Sequence, residues 1–277
     1  MAGYVSRWNV PYFSPILRLE RFSAHRRWFG RPSAHGKLAP MTARILTWNV
    51  ERKRPDSSLG KKGIELLFDQ DPDVMVITEA RTSFPASGGH TLWCEPPRGT
   101  TYAEDERKVL MWSKEPWREV DSVGVEGLDQ SRFISAITDT SEGPIRVLGV
   151  CIPWHMAEVT YPIDVKRKPW ELHIRYLELI AGILSTGDIA TVVAGDFNQA
   201  IPRIKYGNKA ASEAMAETFV SLDIVTQGTV DGGTRPGIDH IAVTKELQPS
   251  KVWGWPNEVE GHRLSDHDGA GVDLSAA

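Results

Sequence analysis

The sequence predicts a mixed, layered α/β sandwich. Short runs rich in β-branched and aromatic residues alternate with amphipathic stretches, and the runs between residues 109 and 152 follow one another without a helical pattern. Neighbouring strands without helices between them argue against a purely parallel βαβ sheet. The chain has 277 residues, of which 41% are hydrophobic, so it can bury one sizeable core or two small ones. This composition excludes disorder, collagen and coiled coil for the whole chain.

Each predicted element follows from its local pattern. Apolar, β-rich runs bounded by turn residues predict strands over Arg44–Trp48, Val74–Thr78, Val109–Ser113, Phe133–Thr138, Ile145–Ile152, Thr191–Ala194 and Ile241–Thr244. Apolar residues at helical spacing predict helices over Leu59–Asp69, Arg167–Leu184 and Lys209–Leu222. In the second helix this spacing places Trp170, Ile174, Leu177, Ala181 and Leu184 on one face.

The charge distribution divides the chain at residue 40. Residues 1–40 carry seven basic residues and one acidic residue, a net charge of +6, and include several Pro and Gly residues. We interpret them as a basic, flexible N-terminal extension or as the product of an upstream start, with Met41 as the true start. Residues 41–277 carry 25 basic and 35 acidic residues, a net charge of −10, and form the predicted catalytic domain. An acidic body of this kind disfavours tight duplex DNA binding.

The sequence also bears on location and covalent chemistry. No run of about 18 apolar residues and no apolar signal segment is present, so we expect no membrane span and a cytoplasmic protein. Cys94 and Cys151 are too few for a disulfide framework or a cysteine zinc site, and we expect two buried free thiols. The sequence does not disclose the oligomeric state.

Acids, amides and histidines follow or precede the predicted strands. These positions are Asn49, Glu51, Glu79, His155, Asp196, Asn198, Asp239, Asp266 and His267. Strand ends hold side chains at one rim of a sheet, where residues distant in sequence can converge. Clustered carboxylates resist joint ionisation, and a hard divalent cation such as Mg²⁺, or Mn²⁺ in its place, relieves the repulsion.

Five motifs are more specific than this spacing. They are Thr47-Trp48-Asn49-Val50, Pro72-Asp73-Val74-Met75-Val76-Ile77-Thr78-Glu79, Gly195-Asp196-Phe197-Asn198, Ile238-Asp239-His240 and Leu264-Ser265-Asp266-His267, in that order. Together they resemble the endonuclease/exonuclease/phosphatase superfamily, the DNase-I-like phosphoesterases. The resemblance covers residues 41–277 and none of the first 40. It implies a four-layered α/β sandwich in which two mixed β-sheets pack face to face with helices outside.

The resemblance also implies a metal site. Glu79 occupies the motif position of the principal metal ligand, and Asn49 the position of an amide that organises the metal and phosphate. Glu51 lies where some members place a second acidic ligand, and Asp266 would lie on the metal or water side. Glu51 is also consistent with a surface charge beside Arg52 and Lys53.

Catalytic roles follow from the same motifs. The resemblance assigns Asp196 to orient and deprotonate the attacking water and Asn198 to hold the phosphoryl group; strand-like alternation around Phe197 would point both to one side. His267 would donate to the scissile phosphate, with Asp239 accepting from its ring. Many members place a histidine or tyrosine near the end of the fifth strand. Here His155 or another side chain fills that slot.

The substrate is the least determined feature. Arg132, Trp154, Arg203 and Lys205 are the predicted substrate contacts. We expect a phosphoester substrate, with a phosphodiester in nucleic acid favoured over a small metabolite. The alternatives are a phosphatase or phosphodiesterase acting on a small soluble ester, and an inactive binding module with the same fold.

Overall fold

The computed structural model describes residues 42–85, 87–97, 102–159, 166–185, 189–204 and 207–277. In chain order, the strands of these residues are β1 (Ala43–Asn49), β2 (Val74–Arg81), β3 (His90–Trp93), β4 (Glu106–Ser113), β5 (Arg118–Asp121), β6 (Phe133–Thr140), β7 (Gly143–Cys151), β8 (Thr191–Asp196), β9 (Leu222–Ile224), β10 (Asp239–Thr244), β11 (Leu247–Trp255), β12 (Glu258–Val259), β13 (His262–Arg263) and β14 (Gly269–Ala276). The helices are α1 (Ser58–Phe68), α2 (Glu171–Leu184) and α3 (Lys209–Thr218), and a 3₁₀ turn spans Gln130–Arg132.

Twelve of these strands form two mixed sheets of six strands each. The first sheet has the order β11-β14-β1-β2-β4-β3, and the second has the order β5-β6-β7-β8-β10-β9. Each sheet contains one parallel pair, β1 with β2 and β7 with β8, and its other pairs are antiparallel. Strands β12 and β13 pair only with each other.

The buried side chains form three clusters that define the layers. The central cluster draws on both sheets, for example Ile45 and Val76 from the first and Val147 and Val192 from the second. The outer face of the second sheet packs against α2 and α3. The outer face of the first sheet packs against residues of α1. The predicted four-layered α/β sandwich is therefore confirmed.

The helix ends follow local capping chemistry and correct two predictions. Ser57 caps α1, since its Oγ accepts from the backbone N of Gly60 at 3.0 Å. Helix α2 begins at Glu171 rather than at residue 167, because Trp170 has a left-handed φ of 71°. Its buried residues are His173, Tyr176, Leu177 and Ile180. Of the predicted face, Leu177 is buried and Leu184 packs against the same cluster, whereas Trp170, Ile174 and Ala181 are half-buried. Helix α3 ends at Thr218, since the chain turns there into β9.

The topology brings polar strand ends to one rim of the sandwich. The parallel strands β1 and β2 run side by side, with Asn49 opposite Thr78. In the second sheet Cys151 lies opposite Asp196, and Asp196 lies opposite Asp239 on the antiparallel β10. The two carboxylates are thus neighbours across strands although 43 positions separate them in the sequence.

The predicted extension, residues 1–40, lies outside the described residues and stays a prediction. Among the residues that the structure describes, no helix is long and apolar enough to cross a membrane. Cys94 and Cys151 are both buried free thiols, as predicted.

Candidate active site

A hydrogen bond between two side chains joins the two sheets at the rim. Asn49, the last residue of β1, donates from Nδ2 to Oδ2 of Asp196, the last residue of β8, at 3.2 Å. Both residues are buried. Ser265 ties the loop before β14 to this point, because its Oγ donates to the Asn49 carbonyl at 2.5 Å and accepts from the His267 backbone N at 3.1 Å. Residues 147 positions apart in sequence therefore meet at one place.

Asn198 folds back onto Asp196. Its backbone N donates to Asp196 Oδ1 at 2.8 Å, and its Nδ2 donates to Asp196 Oδ2 at 2.8 Å and to the Ile152 carbonyl at 2.9 Å. Phe197 between them is fully buried in the core. The two side chains share a side as predicted, but strand alternation is not the reason: β8 ends at Asp196, and Asn198 has a left-handed φ of 51°, a conformation that asparagine tolerates.

Asp239 and His267 form a buried acid–histidine pair. The Nδ1 atom of His267 lies 2.5 Å from Asp239 Oδ2. Trp48 fixes the loop that carries the ring, since its Nε1 donates to the His267 carbonyl at 2.8 Å. The second oxygen of Asp239, Oδ1, is buried and has no hydrogen-bond partner among the described residues.

The surroundings raise the pKa of both Asp196 and His267, for different reasons. Burial and the charge of Asp239 raise the pKa of Asp196 to about 7, although His267 and the hydrogen bonds from Asn198 and Asn49 act against the rise. Burial alone would lower the pKa of His267, but the charge and hydrogen bond of Asp239 outweigh it and raise the pKa to about 10. At neutral pH the site therefore holds an imidazolium beside a carboxylate that can take up a proton.

Glu79, at the rim end of β2, is held by two cations. Lys108 Nζ lies 2.7 Å from Oε1, and Arg52 Nε lies 3.2 Å from Oε2. Burial acts to raise the pKa of the Glu79 carboxyl, but these two cations outweigh it and hold the pKa below its ordinary value. Lys108 lies on β4 and was not among the predicted site residues. In the sequence it is the last of three charged residues at the start of β4, directly before the predicted strand Val109–Ser113.

Two further predicted metal ligands lie at the edge of the site. Glu51 pairs with Lys53 at 3.1 Å and with Arg263 at 3.3 Å. The Asp266 side chain is 49% exposed, and its Oδ1 lies 3.8 Å from His267 Nε2.

Other predicted residues lie apart from the carboxylates. His155 is exposed, and its ring contacts Trp154 and Trp170 at centroid distances of 5.2 and 5.5 Å. No hydrogen bond or ion pair of the described residues joins His155 to Asp196, Asp239 or His267.

The predicted substrate contacts among the described residues make no hydrogen bond or ion pair with Asp196, Asp239 or His267. Trp154 is 50% exposed. Arg132 donates from Nη1 to the Cys151 carbonyl at 3.1 Å, one strand from Asp196. Arg203 is exposed and donates to the Gly207 carbonyl at 3.1 Å. Lys205 lies outside the described residues.

The side chains of the rim fit a hard divalent cation. Potential ligand atoms of Asp196, Asp239 and His267 all lie within 4.8 Å of one another. The protonated His267 ring is unsuited to ligation, which leaves carboxylate and amide oxygens as donors, the ligand type that Mg²⁺ and Mn²⁺ prefer. The unpartnered Oδ1 of Asp239, buried next to a second carboxylate, lacks a positive or donor partner in the described residues.

Comparison with known proteins identifies the family. The model of the Endonuclease/Exonuclease/phosphatase family matches residues 46–267. The chain belongs to this family. Members of the endonuclease/exonuclease/phosphatase family are hydrolases that act on phosphoester bonds, and the family is generally dependent on divalent metals. A comparison with curated proteins found no match.

Solved structures share the fold of this family member. An AP endonuclease from Archaeoglobus fulgidus is 18% identical with a TM-score of 0.61, over 83% of this chain and 98% of that chain. Humanized D. rerio TDP2 is 12% identical with a TM-score of 0.63, over 85% and 99%. The 3′ phosphatase NExo from Neisseria, bound to a product DNA hairpin, is 18% identical with a TM-score of 0.59, over 84% and 99%. At these identities the likeness shows the fold alone.

Proposed function

We propose that this protein is a divalent-cation-dependent phosphoesterase that hydrolyses a phosphodiester in nucleic acid. The observation that carries the proposal is the joining of Asn49, Asp196 and Asn198 beside the Asp239–His267 pair. This group combines a proton acceptor, neutral donors and a cationic donor within one small region. Hydrolysis at phosphorus needs these three kinds of group.

Asp196 supplies the base. Its carboxylate orients a water and removes a proton as the oxygen attacks phosphorus. The raised pKa of Asp196 suits this step, since the carboxylate is ionised in part at neutral pH and retains affinity for the proton. Asn49 and Asn198 hold the carboxylate in place through their Nδ2 groups.

His267 supplies a positive donor to the phosphoryl oxygens. Its Nδ1–H is bound to Asp239, so the Nε2–H is the donor available to the substrate. Asp239 thus acts on the reaction by keeping the ring protonated and oriented. For Asn198 to donate to the same oxygens, its Nδ2 group must exchange its bond to Asp196 Oδ2 or to the Ile152 carbonyl for one to the substrate.

The residues proposed to hold the cation are Glu79, Asn49 and Asp266. Glu79 would then share its carboxylate oxygens between the cation and Lys108 and Arg52. Bound there, Mg²⁺ or Mn²⁺ would stabilise negative charge on the leaving oxygen. Arg132 and Trp154 are proposed to contact the substrate beyond the scissile phosphate, Arg132 through a phosphate and Trp154 by stacking on a base. Arg203 and Lys205 are proposed contacts to the nucleic acid backbone.

A small soluble phosphate ester is the second candidate substrate. The net charge of −10 over residues 41–277 favours it, because a negatively charged domain repels the phosphate backbone of a nucleic acid. The metal site and the attacking water would be the same.

Product-end analysis tests the proposal. Purified protein is incubated with single- and double-stranded DNA, RNA and small phosphate esters, with Mg²⁺ or with a chelator, and the Asp196→Asn variant serves as the blank. Mg²⁺-dependent cleavage of nucleic acid supports the first candidate, and cleavage of small esters alone supports the second. If the protein turns over no ester, both candidate activities are refuted, and a binding module remains as the function of the fold.

A further inference from the structure

A large cavity lies beside the candidate active site. Its volume is about 1130 Å³, and its lining includes Tyr102, Lys108, Arg132, Trp154 and Tyr176. Two of these residues carry positive charge, and both side chains are mostly buried: Lys108 is 8% exposed, and the Arg132 side chain is 14% exposed. Each is paired with one carboxylate, Lys108 with Glu79 at 2.7 Å and Arg132 with Asp129 at 3.2 Å.

Lys108 has unused hydrogen-bonding capacity. An ammonium group carries three N–H donors. In the described part of the chain Nζ has one hydrogen-bond acceptor, Oε1 of Glu79 at 2.7 Å, and it lies 5.1 Å from the centre of the Tyr102 ring. The ion pair with Glu79 fixes the position of Nζ, and the remaining donors are free for a further acceptor.

Arg132 also retains free donors. Its Nη1 donates to the Cys151 carbonyl at 3.1 Å, and its Nε pairs with Asp129 at 3.2 Å. For Nη2 no acceptor is found among the described residues. The bond to Cys151 places this guanidinium against the end of β7, next to the strand that carries Asp196.

The end of β7 itself contributes no charged group toward Asp196. The residue opposite Asp196 is Cys151, a buried thiol, and the exposed His155 ring contacts Trp154 and Trp170. The predicted phosphate contact near the end of this strand was His155 or another side chain. Of the cations that line the cavity, which also include Arg167 and Arg175, Lys108 bonds to Glu79 and Arg132 bonds to the end of β7.

We propose that Lys108, together with Arg132, binds a phosphate group of the substrate at the floor of this cavity. Lys108 is then a phosphate-binding residue and not only the counterion of Glu79. This inference rests on the proposed function for the identity of the anion, a phosphoester. Its chemistry, two fixed cations with free donors, selects for an anionic oxygen in any case.

Binding of inorganic phosphate to the full-length protein tests the inference without turnover. Calorimetric titrations are made with and without Mg²⁺ on the parent, Lys108→Met, Lys108→Arg and Lys114→Met. Lys114 is the matched control, because it is a lysine at the other end of β4 that pairs with Asp71 and Asp73. We expect Lys108→Met to weaken phosphate binding about tenfold or more, since a charge-assisted hydrogen bond is lost. Lys108→Arg and Lys114→Met should remain close to the parent.

Lys108→Met leaves Glu79 without its nearest cation, which can destabilise the fold. A double variant, Lys108→Met with Glu79→Gln, removes both charges, and its comparison is the Glu79→Gln single variant. We expect the double variant to bind phosphate about tenfold more weakly than the single one. Equal affinities of this pair would mean that Lys108 only neutralises Glu79 and would overturn the inference, as would a parent that binds no phosphate.

The outcome separates this inference from the proposed function. Phosphate binding that depends on Lys108 in a protein that hydrolyses no ester would sustain the inference and refute the proposed hydrolysis. Mg²⁺-dependent hydrolysis, with the phosphate affinity of Lys108→Met equal to that of the parent and the affinity of the double variant equal to that of Glu79→Gln, would do the reverse.

Discussion

Asp239 Oδ2 and His267 Nδ1 lie 2.5 Å apart, and the pair joins the start of β10 to the loop that precedes β14. These strands belong to different sheets. The negative charge of Asp239 and its hydrogen bond stabilise the protonated ring, which explains how a mostly buried histidine stays protonated. The hydrogen bond also directs the only free N–H of the ring away from Asp239, toward the side where Asp266 lies 3.8 Å from Nε2.

Replacement of Asp239 should change the titration of His267. In Asp239→Asn we expect the His267 pKa to fall from about 10 toward the ordinary 6.5, because burial then acts without the opposing charge. The raised pKa stabilises the folded protein below pH 6.5, and this contribution is lost as the pH rises toward 10. NMR titration of the imidazole resonances measures the shift. If the His267 pKa is unchanged in the variant, Asp239 is not the cause of the raised value.

Glycine at position 195 is expected to be essential for the fold. Gly195 has a φ of +137°, and a Cβ there would overlap the carbonyl oxygen of Val150 on β7. Gly195→Ala should therefore lower the free energy of unfolding by more than about 2 kcal/mol. The control is Gly182→Ala on the exposed side of α2, where a Cβ meets nothing within 4 Å.

Gly182→Ala should raise the free energy of unfolding by about 0.5–1 kcal/mol, because alanine loses less backbone entropy in a helix. Urea unfolding followed by circular dichroism measures both variants. A Gly195→Ala variant as stable as the parent would contradict the close approach of β7 and β8 at this residue.

The two thiols should be unreactive in the folded protein. Burial raises the pKa of Cys94 to about 11 and the pKa of Cys151 to about 12. Because the thiolate is the nucleophile and both raised values lie far above pH 8, iodoacetamide at pH 8 should modify neither thiol in the native protein. Mass spectrometry after the same treatment in urea should show both modified. Rapid modification of native protein would mean that one thiol is accessible or ionised.

The strands with strong local signals were predictable and the others were not. All seven predicted strands are present, several of them longer than predicted. Strand β14, central in the first sheet, was missed because Gly269 and Gly271 give it a low β-propensity. The structure explains these glycines: a Cβ at Gly271 would crowd the Trp253 ring of β11, and a Cβ at Gly269 would overlap Trp255. Packing between distant strands carries no local signal.

The candidate site was also predictable only in part. The motifs around Asn49, Asp196, Asp239 and His267 identified side chains that the fold does bring together. Lys108 was missed, because a lysine in a strand normally indicates a solvent-facing position and its partner Glu79 lies 29 residues away. The position of the His155 ring was not predictable, because it depends on contacts with Trp154 and Trp170. The contact with Trp170 depends on where the chain begins α2.

The turnover of a phosphodiester by Asp196→Asn, with Mg²⁺ present, tests the proposed role of this cluster most directly. Loss of the general base should lower kcat by about 10²–10⁴, while circular dichroism and the unfolding midpoint stay close to those of the parent. The exposed Asp223→Asn variant on β9 is the matched control and should retain the parent kcat. A folded Asp196→Asn protein that hydrolyses the ester as fast as the parent would contradict the assignment of Asp196 as the base.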